Sequence, residues 1–240
     1  SDAEIYRSLL EEFGTSGIAR LVETLAPRSG ALLFALVPAD CQHEVARILT
    51  PPLRLSVAEQ LLASNRISKD ETVYLFNALD AARSGKPIPK AQATNGIMDR
   101  GREIDAAGAL SVLLPAIEAA ARTKLFSATF ARFSGVIPLW YEQIIYADML
   151  LKIPSELQSD MLLDVDIRAL SAWYSIQQPL WQEQFLKRIT ATMQNALRSS
   201  MKFGSRQEQL KLAERGRTEL VSAVKKLVAR GRLSFAEMVA

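Results

Sequence analysis

Residues 181–201 read WQEQFLKRITATMQNALRSSM, and this stretch decides the fold class. Its apolar side chains recur at every fourth position, as Trp181, Phe185, Ile189, Met193, Leu197 and Met201. Because an α-helix turns about 100° per residue, side chains four apart form one stripe that drifts slowly around the helix. The stripe predicts a single long amphipathic helix, and Gly204 just beyond it suits a left-handed C-cap.

Helical spacing continues on both sides of this stretch. Two further apolar sets have this spacing. Leu53, Val57 and Leu61 precede the stretch, and Leu220, Val224, Leu227 and Val228 come after it. By contrast, no long stretch alternates apolar with polar residues, and no Asn-Gly or Asp-Gly pair joins two apolar runs. The sequence therefore predicts an all-α protein.

Helix-start signals agree with this prediction. Ser68 and Glu71 have the spacing of a capping box. Five prolines stand just before or at the start of a periodic segment: Pro38, Pro51, Pro52, Pro154 and Pro179. Short helices stacked in succession are typical of α-solenoids, so we expect armadillo-like right-handed superhelical units followed by a C-terminal helical bundle. The proline-led segments show no fixed period, so the pattern only suggests tandem repetition.

One stretch departs from the helical pattern. Residues 84–90 carry a glycine and two prolines, and a mostly polar run follows them to Gly101. We therefore expect an armadillo-like unit over 1–84, a linker over 85–103, a second armadillo-like unit over 104–150 and a C-terminal helical domain over 151–240.

Residues that could support catalysis are sparse. The chain holds one cysteine and one histidine, which excludes a disulfide framework and a Cys/His zinc cluster. Cys41 and His43 lie two apart, so on a helix they do not share a face, and the same holds for Asp164 and Asp166. We expect Asp164 at an exposed helix end and Asp166 at the N-cap of the next helix. No phosphate-binding glycine loop or hydrolase motif occurs. The sequence therefore favours a non-enzymatic protein with no catalytic residue, cofactor or metal.

Charge is concentrated near the C-terminus. Residues 198–232 hold ten basic and three acidic side chains, a net charge of +7, whereas the whole chain carries only +3. This asymmetry indicates either a solvated helix face or an acidic partner, which would be a protein, a nucleic acid or phospholipid headgroups. Only Phe203 lies among the bases as an aromatic residue, so we expect no nucleic acid. We expect no signal peptide and a cytoplasmic protein, at most peripheral at the inner face of the cytoplasmic membrane.

Several segments carry a resemblance to a known family: 30–36 (GALLFAL), 41–45 (CQHEV), 101–102 (GR), 106–117, 161–166 (MLLDVD), 185–198 and 220–231. Read in order, they resemble FliG, the flagellar motor switch family of the bacterial rotor. The resemblance covers residues 13–84 and 101–235, and implies the middle and C-terminal domains of the family. The family's N-terminal domain has no counterpart in these residues.

The resemblance implies a non-enzymatic component of the rotor and switch ring, or C-ring, that serves motility and chemotaxis through protein–protein interactions. The alternative is a scaffold or adaptor paralogue that has lost torque generation. The implied partners are other rotor ring proteins and a stator cytoplasmic loop, with self-association through the armadillo units. In this sequence the positions of the family's torque-generating charges hold uncharged side chains: Ser175, Thr192, Ser199, Ser200 and Gln209.

Nearby bases are the candidates for binding a partner. If an acidic stator loop is engaged, the closest substitutes for the missing charges are cations of the same region. The predicted partner-binding residues are Arg188, Arg198, Lys202, Arg206, Lys225 and Lys226.

Overall fold

The protein is mostly helical, as predicted. The computed structural model describes residues 2–91, 101–133 and 136–239. The described ranges are mostly helical and contain fourteen α-helices. The chain divides into two compact units, Ser1–Ser134 and Gly135–Ala240. The finer four-part division predicted from the sequence stays a prediction.

The first unit is built from seven helices in its described residues. They are α1 (Asp2–Thr24, kinked at Gly14, whose φ is +61°), α2 (Pro27–Leu36), α3 (Ala39–Ile48), α4 (Pro51–Ala63), α5 (Lys69–Arg83), α6 (Ala106–Leu113) and α7 (Ala119–Arg132). Helix α2 packs against α1 and α4, and α6 packs against α3 and α4. Residues 31–34 of α2 are fully buried, so this apolar helix forms the centre of the unit.

A short strand pair lies at the end of the predicted linker. Strand β1 (Arg66–Ile67) pairs antiparallel with β2 (Arg102–Glu103). Gly101 enters β2 with a φ of +50°, and a Cβ there would lie 2.5 Å from the carbonyl oxygen of Ile67. Glycine is therefore required at this position. Residues 92–100 of the predicted linker lie outside the described residues.

The second unit also contains seven helices in its described part. They are α8 (Ala147–Leu150), α9 (Ser155–Leu163), α10 (Ile167–Ser175), α11 (Pro179–Leu186), α12 (Ala191–Ser200), α13 (Arg206–Ala229) and α14 (Phe235–Val239). Helix α13 packs mainly on α10 and also contacts α9. A Cβ on Gly216 of α13 would lie 2.4 Å from the carbonyl oxygen of Ala169 in α10. The two helices therefore approach each other so closely that only glycine fits.

Most helix signals read from the sequence are confirmed. Ser68 and Glu71 form both hydrogen bonds of the capping box at the start of α5. Leu220, Val224 and Leu227 are buried on one side of α13. Each of the five prolines lies at an N-cap or in the first turn of a helix.

The single long helix predicted over residues 181–201 is wrong. Helix α11 ends at Leu186, and α12 begins after Thr190, whose Oγ1 accepts a hydrogen bond from the Met193 N–H. Ile189 is buried within the link, so the apolar stripe continues although the helix does not. Gly204 is not a left-handed C-cap either; its N–H donates to Glu208 Oε2 at 2.8 Å.

A repeated hydrogen bond joins successive helices. In six links of the described chain, the side chain of the residue four positions after the N-cap donates a hydrogen bond. The acceptor is the carbonyl oxygen of the residue eight positions before this donor. We call these links helix corners. The bonds are Gln42 to Phe34, Arg54 to Ala46, Arg122 to Leu114, Gln158 to Leu150, Gln182 to Tyr174 and Gln194 to Leu186, at 2.8–3.4 Å.

The helix corners share their backbone geometry. Their N-cap residues all have φ between −53° and −67° and ψ between 139° and 154°. In five of the six, the residue before the N-cap is a buried aliphatic side chain: Val37, Leu49, Ile117, Ile153 and Ile189. The last carbonyls of a helix have no partner within it, so the side chain of the next helix satisfies them where water is excluded.

The N-caps also reveal a period that the sequence reading missed. Two runs of them, at residues 26, 38 and 50 in the first unit and at 154, 166, 178 and 190 in the second, are spaced twelve residues apart, whereas other N-caps such as Ser68 and Ser205 lie outside this spacing. The proline-led segments by themselves have no fixed period, and the twelve-residue spacing is confined to these two runs of helices. Prolines alone hide the period, because alanine, threonine, aspartate and glutamine also occupy these positions.

Replacing one corner donor tests whether the corner hydrogen bond stabilises the fold. Gln194→Leu removes the donor to the Leu186 and Ile189 carbonyls, so we expect it to lower the free energy of unfolding by about 1–3 kcal/mol. Urea denaturation of the full chain measures the change. Gln207→Leu, at an exposed position of α13, is the matched control. Equal stabilities of the two variants would contradict a structural role for the corner bond.

Candidate partner-binding surface

Five of the six predicted partner-binding cations form two separate groups in the second unit. Arg198 in the last turn of α12, Lys202 in the following turn and Arg206 at the start of α13 are all exposed; we call these three the turn group. Lys225 and Lys226 lie near the C-terminal end of α13, and we call these two the C-terminal group. Helical rise separates Arg206 from Lys225 by about 28 Å.

Carboxylates of α9 face the C-terminal group. Lys226 Nζ lies 2.8 Å from Asp164 Oδ2, and Arg232 Nη1 lies 3.7 Å from Asp160 Oδ2. The hydrogen bond and the charge of Lys226 hold the pKa of the Asp164 carboxyl below its usual value. As expected from the sequence, Asp164 is at an exposed helix end and Asp166 caps α10 through the Ala169 N–H. The positive charge of this end is thus partly compensated within the fold.

Arg188 is used inside the second unit. Its Nη2 donates to the Ile153 carbonyl at 2.6 Å and its Nε to Gln158 Oε1 at 3.2 Å. Gln158 is itself a corner donor and is fully buried. Arg188, which lies in the α11–α12 link, therefore braces the corner between α8 and α9, and the structure does not place it in the turn group.

The turn group is not compensated by a carboxylate in the part of the chain that the structure describes. The acidic side chain closest in sequence, Glu208, accepts from Arg168 Nη2 at 2.5 Å and from the Gly204 N–H at 2.8 Å. None of the three cations forms an ion pair with any described residue. They therefore present net positive charge to solvent.

A chain of hydrogen bonds orients one of these cations. Ser175 Oγ donates to the Ala172 carbonyl at 2.7 Å and accepts from Gln209 Nε2 at 2.8 Å. The Gln209 Oε1 then accepts from Arg206 Nη1 at 2.8 Å. Because the amide is fixed on one side by the serine, its oxygen holds the guanidinium in place. Other N–H donors of the same guanidinium stay available for a ligand.

Arg198 lies close enough to Tyr174 for its charge to act on the phenol. Burial raises the pKa of Tyr174, and the positive charge of Arg198 partly opposes this shift. The ring of Tyr174 packs with Trp181 and Phe185, which belong to the core of the unit. At Arg198 the turn group therefore borders the buried aromatic cluster of the unit.

The sequence pattern points to the cations but not to the residues that orient them. Ser175 and Gln209 are 34 positions apart, and no periodicity joins them. The corner donors do leave a sequence signal, namely Gln or Arg four residues after an extended N-cap. This signal is visible in 37–42 (VPADCQ) and 153–158 (IPSELQ).

The described residues contain neither a metal-binding cluster nor a membrane-spanning helix. No three His, Cys, Asp or Glu side chains there cluster closely enough to hold a metal ion. Among the same residues, no helix combines the length and apolar character that crossing a membrane requires. Cys41 and His43 lie on α3, and both are half-buried.

Comparison with known proteins adds no relative. No protein-family model matches the chain, and no curated protein sequence matches it significantly.

The lowered pKa of Asp164 gives a prediction about the C-terminal group. Lys226→Gln removes the charge and hydrogen bond that favour the carboxylate, so the pKa of Asp164 should rise towards its usual value. In the unmodified protein, the stabilising effect of this pair is present at neutral pH and lost as the pH falls through the lowered pKa. NMR titration of the Asp164 carboxyl measures its pKa in the unmodified protein and in the variant. Lys225→Gln, the neighbouring control, should leave the pKa unchanged; equal shifts in the two variants would refute the pairing.

The role of Arg188 gives a second prediction. Arg188→Met leaves the Ile153 carbonyl and Gln158 Oε1 without their charged donor, so the free energy of unfolding should fall by about 1.5–3 kcal/mol. Arg168→Met removes an exposed ion pair and should cost less than about 1 kcal/mol. Thermal or urea unfolding compares the two. A smaller loss for Arg188→Met than for Arg168→Met would show that Arg188 is not a structural brace.

Proposed function

We propose that this chain is a non-enzymatic, FliG-like component of a flagellar rotor and that it acts through protein–protein contacts. In this proposal, the first unit contains armadillo-like helical repeats that contact other ring proteins, and the second unit is the FliG-like C-terminal domain. The protein would work in the cytoplasm, or at the inner face of the cytoplasmic membrane. The turn group would supply the charged contact with the partner.

One observation carries the proposal. The resemblance to FliG aligns Ser175 and Gln209 with two positions of the torque-generating ridge, although 34 residues separate them. Their side chains form a hydrogen bond of 2.8 Å. Residues that contribute to one ridge must lie together on one surface, so this contact supports the alignment from which the function is inferred.

The chemistry of the surface also supports a charged contact. The aligned ridge positions hold no charge, but the turn group places three cations next to them in the chain. Arg198 and Lys202 flank the serines at 199 and 200, and Arg206 bonds directly to Gln209. In the proposed rotor, the contact would therefore be uniformly positive, which suits an acidic partner.

A second function follows from the same positions. The family's ridge carries a few charges, and every aligned position here is uncharged. This loss favours a scaffold or adaptor that keeps the FliG-like fold and no longer generates torque. The rotor function requires the charge of the turn group for contact with the partner, whereas the scaffold function does not. Reversing this charge therefore distinguishes the two functions.

Charge reversal in the native cell tests the rotor function. Arg198→Glu combined with Lys202→Glu should impair swimming while rings and flagella still assemble, because the exposed side chains contribute to contact and not to folding. Swimming speed and counts of flagella by electron microscopy are the measurements. Lys86→Glu with Lys90→Glu makes the same change of charge at exposed positions of the first unit and should leave swimming normal.

Three outcomes decide between the functions. A swimming defect with intact assembly, confined to the turn-group variant, supports the rotor. Normal swimming of that variant, together with defective assembly in a deletion strain, supports the scaffold. Normal swimming and intact rings in the deletion strain would exclude a flagellar function.

A further inference from the structure

The strongest unassigned feature is the orientation of Arg206. An exposed arginine normally samples many rotamers, and ordering it costs side-chain entropy. Here the hydrogen bonds Ala172–Ser175–Gln209–Arg206 already restrict the guanidinium before any ligand arrives. An arginine held by an amide oxygen, with no carboxylate partner in the described chain, is pre-organised for an anion.

Carboxylate is the anion that fits this surface best. A guanidinium binds a carboxylate through two parallel N–H bonds, and Arg198 and Lys202 add positive charge on the same turn. From these observations we infer that the turn group binds an acidic segment of a partner protein, with Arg206 as the bidentate carboxylate contact. This inference rests on the proposed function and specifies the chemistry of the partner.

Other anionic macromolecules fit less well. Proteins that bind single-stranded nucleic acid combine cations with exposed aromatic rings on which bases stack. The aromatic rings of Trp173, Tyr174, Trp181 and Phe185 are buried, and Phe203 is half-buried. Recognition of anionic lipid by sequence typically uses clusters of four to eight cations, and the turn group has three.

Fluorescence anisotropy with the full chain tests the inference. The probe is a fluorescein-labelled peptide of alternating glutamate and alanine. A labelled single-stranded oligonucleotide of matched charge and phosphatidylserine vesicles are the competing ligands. We expect the peptide to bind most tightly, with an affinity that falls as salt is raised.

Three variants separate a specific contact from general attraction. Arg206→Lys keeps the charge and loses the planar fork, so the affinity for the peptide should fall about tenfold. Gln209→Leu keeps all charges and releases Arg206, so the affinity should fall about two- to tenfold. Lys225→Gln removes one charge at the far end of α13 and should change the affinity less than about twofold.

The outcomes overturn or support the inference directly. Equal losses for Arg206→Lys and Lys225→Gln would show non-specific attraction, and tighter binding of the oligonucleotide or the vesicles would exclude a protein carboxylate as the ligand. Salt-dependent self-association that Arg206→Lys abolishes, measured by sedimentation, would identify a second copy as the occupant and overturn the inference. Circular dichroism confirms that each variant is folded.

The binding assay tests the partner chemistry and the swimming assay tests the rotor function, so either hypothesis can be overturned without the other. A swimming defect without peptide binding would overturn only the inferred partner chemistry. Peptide binding that depends on Arg206, in cells that swim normally after charge reversal, would overturn only the rotor function.

Discussion

The fold depends on one interaction, the hydrogen bond from the fourth residue of a helix to a late carbonyl of the helix before it. Helix ends leave carbonyls without partners, and the short links here bury many of them next to aliphatic side chains such as Val37 and Ile153. A glutamine or arginine at a fixed reach satisfies them and sets the path of the link. Where Gly30 takes this position, a Cβ would lie 2.5 Å from the Val22 carbonyl oxygen, again eight residues earlier, so there the backbone itself fills the space.

These corners position the candidate surface. Gln194 fixes the start of α12 on the end of α11, and Arg188 in the same link braces the corner of Gln158. Helix α12 then packs on α10, while Gly216 lets α13 approach α10 closely. The turn between α12 and α13 is therefore held at both ends, which explains how exposed cations are presented on a defined surface.

The sequence predicts the helices better than the joints. Capping at Ser68 and the stripe from Leu220 are local patterns, and both are found as expected. The break after Leu186 was missed because Ile189 continues the apolar spacing from within a link. Likewise, Arg188 and Arg198 look equivalent in a list of charges, and only the tertiary structure shows that Arg188 is half-buried and hydrogen-bonded whereas Arg198 is exposed. The Ser175–Gln209 contact is a product of α10 packing on α13, and no local rule reaches that far.

The twelve-residue spacing of the N-caps has a consequence for changes in chain length. A corner works only when donor and carbonyl stay eight residues apart, so an insertion of one residue inside a link moves the donor to a different carbonyl. Removal of a whole twelve-residue unit, such as 178–189, leaves that count intact at the joints that remain. Length variation among natural or engineered forms of this protein is therefore expected in steps of one helix with its link, and not in single residues.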